Sequence, residues 1–108
     1  MIYHVYTSTK AEREMRAIAD YISFDLDSPQ AAYNLMDEIQ EQIDSLEHMP
    51  KKFAFVSDKQ LAQMGVRSVP VKNYSIFYVV DDSATTVSVI SVMYGKRDWA
   101  NLILSYRK

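Results

Sequence analysis

Gly65-Val66-Arg67-Ser68-Val69-Pro70-Val71-Lys72-Asn73-Tyr74-Ser75-Ile76-Phe77-Tyr78-Val79-Val80, a polar interval from Asp81 to Thr85, and then Thr86-Val87-Ser88-Val89-Ile90-Ser91-Val92-Met93-Tyr94-Gly95-Lys96-Arg97-Asp98 make up the most patterned stretch of this 108-residue chain. Apolar, β-branched and aromatic residues recur there at period two, which predicts strands over Val66–Val71, Tyr74–Val80 and Thr86–Tyr94. Asp81-Asp82-Ser83-Ala84 reads as the turn joining the last two. An arginine marks each end of the stretch: Arg67 near its start, and Arg97 after Tyr94-Gly95-Lys96. A hairpin that gathers guanidinium, ammonium and phenol groups in one region can grip an anion such as a phosphate backbone. The expectation is that Arg67 and Arg97 converge on one rim of the sheet.

Working back toward the N-terminus, Ile2–Tyr6 alternates in the same way and predicts a short first strand. Thr9-Lys10-Ala11-Glu12 reads as a capping box, after which Met15, Ile18, Ala19, Ile22 and Leu26 recur at helical spacing and bury one face. Asp27-Ser28-Pro29 ends that helix and starts another, with Ser28 as N-cap and Pro29 in the first turn. Ala32, Leu35, Met36, Ile39, Ile43 and Leu46 form the second apolar stripe. Helices joined so briefly form an antiparallel hairpin. A helical turn is expected within Ser57–Met64, and a final short helix from Asp98 carrying Trp99, Leu102, Ile103 and Tyr106. The expected fold is α+β: a helical hairpin on one face of a twisted antiparallel sheet of about four strands, as a single domain over 1–108.

Strict alternation puts Val87, Val89, Ser91 and Met93 on one face of the last strand and Ser88, Ile90, Val92 and Tyr94 on the other. Neither that strand nor Tyr74–Val80 has a fully polar face, and a helical hairpin covers only one side of a sheet. The other side needs the C-terminal segment, a second copy or a partner protein, and a partner is the favoured cover.

Composition narrows the function classes. Apolar residues make up 48% and charged residues 24%, so a packed core is expected rather than disorder. Cysteine is absent, which removes disulfides and thiolate metal sites and fits a reducing cytosol. No apolar run approaches the ~20 residues of a membrane helix, and the N-terminus lacks a signal-peptide pattern. The net charge of -2 conceals an asymmetry: residues 1–50 hold three basic against ten acidic residues, giving -7, while residues 51–108 hold nine basic against four acidic, giving +5. The anionic partner, if there is one, meets the second half. The sequence pI of 5.6 argues against a nucleic-acid grip based on bulk charge.

A helical hairpin followed by Gly65-Val66-Arg67 with Pro70-Val71, then Tyr74-Ser75-Ile76-Phe77-Tyr78, then Val92-Met93-Tyr94-Gly95-Lys96-Arg97-Asp98, resembles the RelE/ParE superfamily of toxin proteins over Thr9–Leu104. The resemblance implies a small α+β toxin made beside an antitoxin, whose C-terminal segment wraps and silences it. It implies no cofactor or metal, and one of two targets. RelE-like members cut mRNA in the ribosomal A site; ParE-like members poison DNA gyrase.

RNA cleavage needs a base for the 2′-hydroxyl, cations for the charge on phosphorus and an acid for the leaving oxygen. By resemblance, Arg97 matches a catalytic arginine, Tyr94 a strand-end His or Tyr, and Arg67 a phosphate clamp. Other features depart from the nuclease pattern. Ser75 stands where RelE-like enzymes carry a supporting arginine, and Val66 and Ser68 stand where they carry lysines. His4 and His48 lie in the first strand and at a helix end, where neither is an evident base. The wording is closer to the ParE side, for which Lys96, Arg97 and Trp99 are the expected target contacts.

Each residue also has a plainer reading. Arg97 can pair with Asp98, and Arg67 with a helix carboxylate such as Glu47. Tyr74, Tyr78 and Tyr94 read as core or interface aromatics. Lys51-Lys52 complements a helix C-terminus. Asp81-Asp82 is a turn and lacks the oxygen cage a divalent cation needs. Three functions therefore stand at this point: gyrase inhibitor, ribosome-dependent mRNA endonuclease, and a degenerate binding module without toxicity.

Overall fold

A computed structural model describes residues 2–95, so the helix expected from Asp98 and the residues Lys96, Arg97 and Trp99 lie outside the described residues. The elements run β1 (His4–Thr7), α1 (Thr9–Asp20), a π-helical turn (Tyr21–Asp25), α2 (Pro29–Ser45), α3 (Lys59–Gln63), β2 (Val66–Val71), β3 (Tyr74–Asp81) and β4 (Thr86–Tyr94). They form one four-stranded sheet in the order β1-β4-β3-β2. The β2–β3 and β3–β4 pairs are antiparallel, as the pattern predicts, but β1 adds beside β4 in parallel. Parallel pairing requires a long crossover, and the two helices between β1 and the hairpins supply it.

Local chemistry sets the helix ends. The N-cap of α1 is Ser8 rather than Thr9: its extended backbone (ψ 157°) lets its hydroxyl oxygen accept the Ala11 N–H at 3.0 Å. The expected Thr9–Glu12 box is therefore displaced by one residue. Pro29 begins α2 as expected, but Ser28 makes no side-chain capping bond. Asp58 caps α3 by accepting the Leu61 N–H.

Between the two long helices the winding widens, with the Leu26 N–H donating to the Tyr21 carbonyl five residues back at 3.1 Å. This wider turn rotates Leu26 off the core stripe, where strict helical spacing had placed it, and leaves it exposed. Ile22 stays inside.

A bulge also overturns strict alternation in β4. Phe77 pairs with Ser91 and Tyr78 with Val89, so Ile90 is an extra residue. Beyond it the side chains exchange faces. Val87, Val89 and Val92 join Ile76, Tyr78, Val69 and Val71 under the helices, against Leu35, Ile39, Ile43 and Leu46. Met93 and Ile90 instead face the reverse side with Phe77, Val66 and Val79. The chain covers that part of the reverse face itself, through Val56 and through Leu61 of α3. Burying each such side chain stabilises the fold by about 1.5–3 kcal/mol. The expectation that a partner covers this face is corrected to that extent.

Candidate functional site

The register decides where the expected site residues stand. Arg67 opposes Tyr78, which opposes Val89, whereas Tyr94 opposes Tyr74, which opposes Val71. Arg67 and Tyr94 therefore occupy opposite ends of the sheet, four residues apart along β2 and two strands over. At about 3.3 Å per residue and 4.8 Å per strand, this is well beyond contact through one phosphate. The expected gathering of Arg67 with the Tyr94 end is not what the strands build.

At its own end, Arg67 fastens a loop. The chain between α2 and α3 runs along the outer edge of β2, where Phe55 bridges Arg67 and the Val56 N–H donates to the Val66 carbonyl at 3.0 Å. The guanidinium donates from Nη1 to the Phe53 carbonyl at 2.7 Å and lies over the Phe55 ring at 4.0 Å. Glu47, its expected partner, is not involved in these contacts. Neighbouring Tyr78 is buried and donates its hydroxyl to the Pro50 carbonyl at 2.7 Å. Burial pushes that phenol above its usual pKa, opposed by the nearby Arg67 charge. Tyr78 is thus the core aromatic its plainer reading described.

The same end carries a second clip. Asp82 accepts from Lys51 at 2.7 Å and from the Tyr3 hydroxyl at 2.8 Å, tying the β3–β4 turn to the loop after α2 and to the start of the chain. Lys51 is therefore engaged with this turn carboxylate, not with the last turn of α2. Asp81 closes the turn, accepting from the Ser83 hydroxyl and the Ala84 N–H.

The Tyr94 end is the more open one. Tyr94 is 53% exposed and meets Tyr74 edge to face, with ring centroids 5.2 Å apart. The two rings separate a pair of recesses. One is a groove of about 510 Å³ lined by Ala17, Ile18, Tyr21, Leu26, Tyr74 and Tyr94. The other is a cleft of about 280 Å³ whose lining includes Lys72, Asn73 and Gly95. Burial, with Tyr94 and Tyr21 close by, pushes the Tyr74 phenol above its usual pKa, which makes it a poor base at neutral pH. Gly95 turns the chain at φ 64° and donates to the Asn73 carbonyl at 2.6 Å. The next residues along the chain are Lys96 and Arg97.

Among the described residues, no group of three or more His, Cys, Asp or Glu side chains is placed to hold a metal ion. His4 and His48 are exposed and far apart in the chain, and His48 neighbours Glu47 at 3.5 Å. The groove residues Tyr21 and Leu26 were missed by sequence reasoning. The only available signal was an apolar residue, Leu26, between two aspartates at a helix end.

The fold recurs in solved structures. The chain is similar to the chromosomal ParDE toxin–antitoxin system of P. aeruginosa, at 18% identity over 88% of this chain and 98% of that one, with a TM-score of 0.72. It is similar to the RelBE2 toxin–antitoxin complex of Mycobacterium tuberculosis (21% identity, 87% and 92% covered, TM-score 0.61). A mutant of the E. coli toxin RelE in the free state also matches (17% identity, 97% and 93% covered, TM-score 0.62). At these identities the likeness establishes the fold. No curated protein sequence matches the chain. The model of the ParE toxin of type II toxin–antitoxin systems, parDE, matches residues 5–99. The chain belongs to that ParE toxin family.

Proposed function

We propose that this protein arrests growth by binding DNA gyrase, with Lys96, Arg97 and Trp99 supplying the contact surface, and that a cognate antitoxin segment silences it. The observation that carries this reading is the separation of Arg67 from Tyr94 across the sheet. A nuclease using both needs them at one phosphate, and Arg67 already holds the Phe53 carbonyl and the Phe55 ring. A gyrase-binding toxin has no such requirement. Its contact needs only an exposed cationic and aromatic surface, and the chain supplies Gly95-Lys96-Arg97-Asp98-Trp99 directly after an exposed tyrosine. The match to the ParE family supports the same side of the superfamily.

The antitoxin reading is supported by the similar structures, which are toxin–antitoxin systems. An apolar groove beside the start of the cationic segment is a natural seat for an amphipathic tail.

The test is a pair of assays on the purified chain. Supercoiling by gyrase should be inhibited and cleaved DNA should accumulate, while a cell-free translation extract continues unaffected. New 5′ ends on ribosome-bound message would replace this reading with the endonuclease one. Absence of growth arrest on overexpression would leave a non-toxic binding module. Arg97→Ala is expected to abolish arrest with the melting temperature nearly unchanged; persistence of arrest would make Arg97 structural.

A further inference from the structure

The bulge in β4 lies four residues before Tyr94, the last residue of the strand, and α1 with its N-cap grips it with three side chains. The Ser8 hydroxyl donates to the Ile90 carbonyl at 3.3 Å. Lys10 Nζ donates to Ser91 Oγ at 2.9 Å and pairs with Glu14 Oε2 at 2.9 Å. The Ser91 hydroxyl donates to Glu14 Oε1 at 2.9 Å, and the Val92 N–H donates to the same oxygen at 3.1 Å. Ser91 is fully buried.

The placement has a reason. β1 ends at Thr7, opposite Val89, so beyond that point β4 has no strand partner on that side among the described residues. The Glu14 carboxylate accepts the Val92 N–H in place of a strand carbonyl. An exposed Lys–Glu pair four residues apart on a helix contributes little by itself. Here the carboxylate also accepts from a buried hydroxyl and a strand amide, and its loss would leave those two donors without their acceptor.

We propose that Glu14 is a positioning residue. It fixes the course of Val92–Tyr94 after the bulge, and so the point at which Gly95 delivers Lys96 and Arg97 to the target. Bulges re-aim the residues that follow them, and this one is held by side chains from another element. The functional half of the proposal rests on the role assigned above to Lys96 and Arg97; the clamp itself does not.

The experiment compares the full chain with Glu14→Ala and Glu14→Gln, using Glu38→Ala, which removes the surface pair with Lys72, as a control. Amide hydrogen exchange is read residue by residue along β4, and growth arrest is read as the inducer level required. In Glu14→Ala, Val92, Met93 and Tyr94 should exchange about tenfold faster while Val87 and Val89 hold, and arrest should need about tenfold more inducer. Glu14→Gln keeps an oxygen acceptor and should recover both readouts to within about threefold. Uniform acceleration along β4, or no recovery by Gln, would reduce Glu14 to general support and overturn the proposal. Local acceleration with unchanged arrest would overturn the positioning role. If the unmodified chain causes no arrest, the toxin reading fails by itself, and the exchange pattern still upholds or overturns the clamp.

Discussion

Arg67 spends its guanidinium on the Phe53 carbonyl and the Phe55 ring, which closes the loop after α2 onto the edge of β2. Arg67→Ala should therefore cost about 1–2 kcal/mol, from one charge-assisted hydrogen bond and a stacked cation. Arg67→Lys should recover less than half, because an ammonium cannot stack as a plane. Urea midpoints measure both, and an unchanged midpoint would return Arg67 to the pool of target contacts. Asp82 makes a second residue-level prediction. The hydrogen bond from Lys51, and then that from Tyr3, hold its carboxyl below the usual range, while the bond to Asp82 raises both Tyr3 and Lys51. A lowered carboxyl contributes stability above its unfolded pKa near ~4 and loses it as pH falls through the folded value. The raised Tyr3 and Lys51 contribute fully below about pH 10 and lose their share as pH rises through their folded values. The melting difference between the unmodified chain and Asp82→Asn should be flat from about pH 5 to 9 and close as pH falls through the lowered carboxyl's folded value. A difference that persists in acid would show that the carboxylate charge is not its source.

At the scale of elements, turns hold the least favourable backbone. Thr85, a β-branched residue, sits at φ 51° in the β3–β4 connection, a region that suits glycine. Its N–H bonds to the Asp82 carbonyl and its own carbonyl accepts the His4 N–H, so both bonds survive loss of the side chain. Thr85→Gly should stabilise the protein by about 0.5–1 kcal/mol, after allowing for the greater freedom of glycine in the unfolded chain. Gly95→Ala, at φ 64°, should do the reverse by a similar amount. Thermal melts of the two variants should move in opposite directions, and a Thr85→Gly variant that melts lower would mean its side chain matters more than its backbone. Element identity was readable because it depends on period and caps. Val66–Val71, Thr86–Tyr94 and the α2 stripe match their expected positions. The π-helical turn and the Ile90 bulge were not readable, since each shifts register by one residue without changing composition. Those two shifts account for the exposure of Leu26 and the exchanged faces of β4.

At the scale of the whole molecule, the sheet separates two apolar clusters. Ile39 is fully buried under the helices and Leu61 is fully buried on the reverse face. Truncating either to alanine should cost about 2–5 kcal/mol, a large share of the about 5–15 kcal/mol typical of such a domain. Both clusters share β2, β3 and β4, so each variant should still unfold in one transition by circular dichroism in urea. A Leu61→Ala variant with an unmoved midpoint would mark the α3 cover as a flap that melts separately.

The sequence by itself determined the two long helices and the strands, the hairpin order of β2–β3–β4, the apolar stripe of α2 and the charge division between halves. These follow from local spacing and residue type, which do not depend on what lies across the core. Only the tertiary structure decided that β1 runs parallel beside β4, that Arg67 staples a loop at the far end from Tyr94, and that Glu14 seals the strand after the bulge. Each of these joins residues more than ten positions apart in the chain, through contacts that side-chain periodicity alone does not encode.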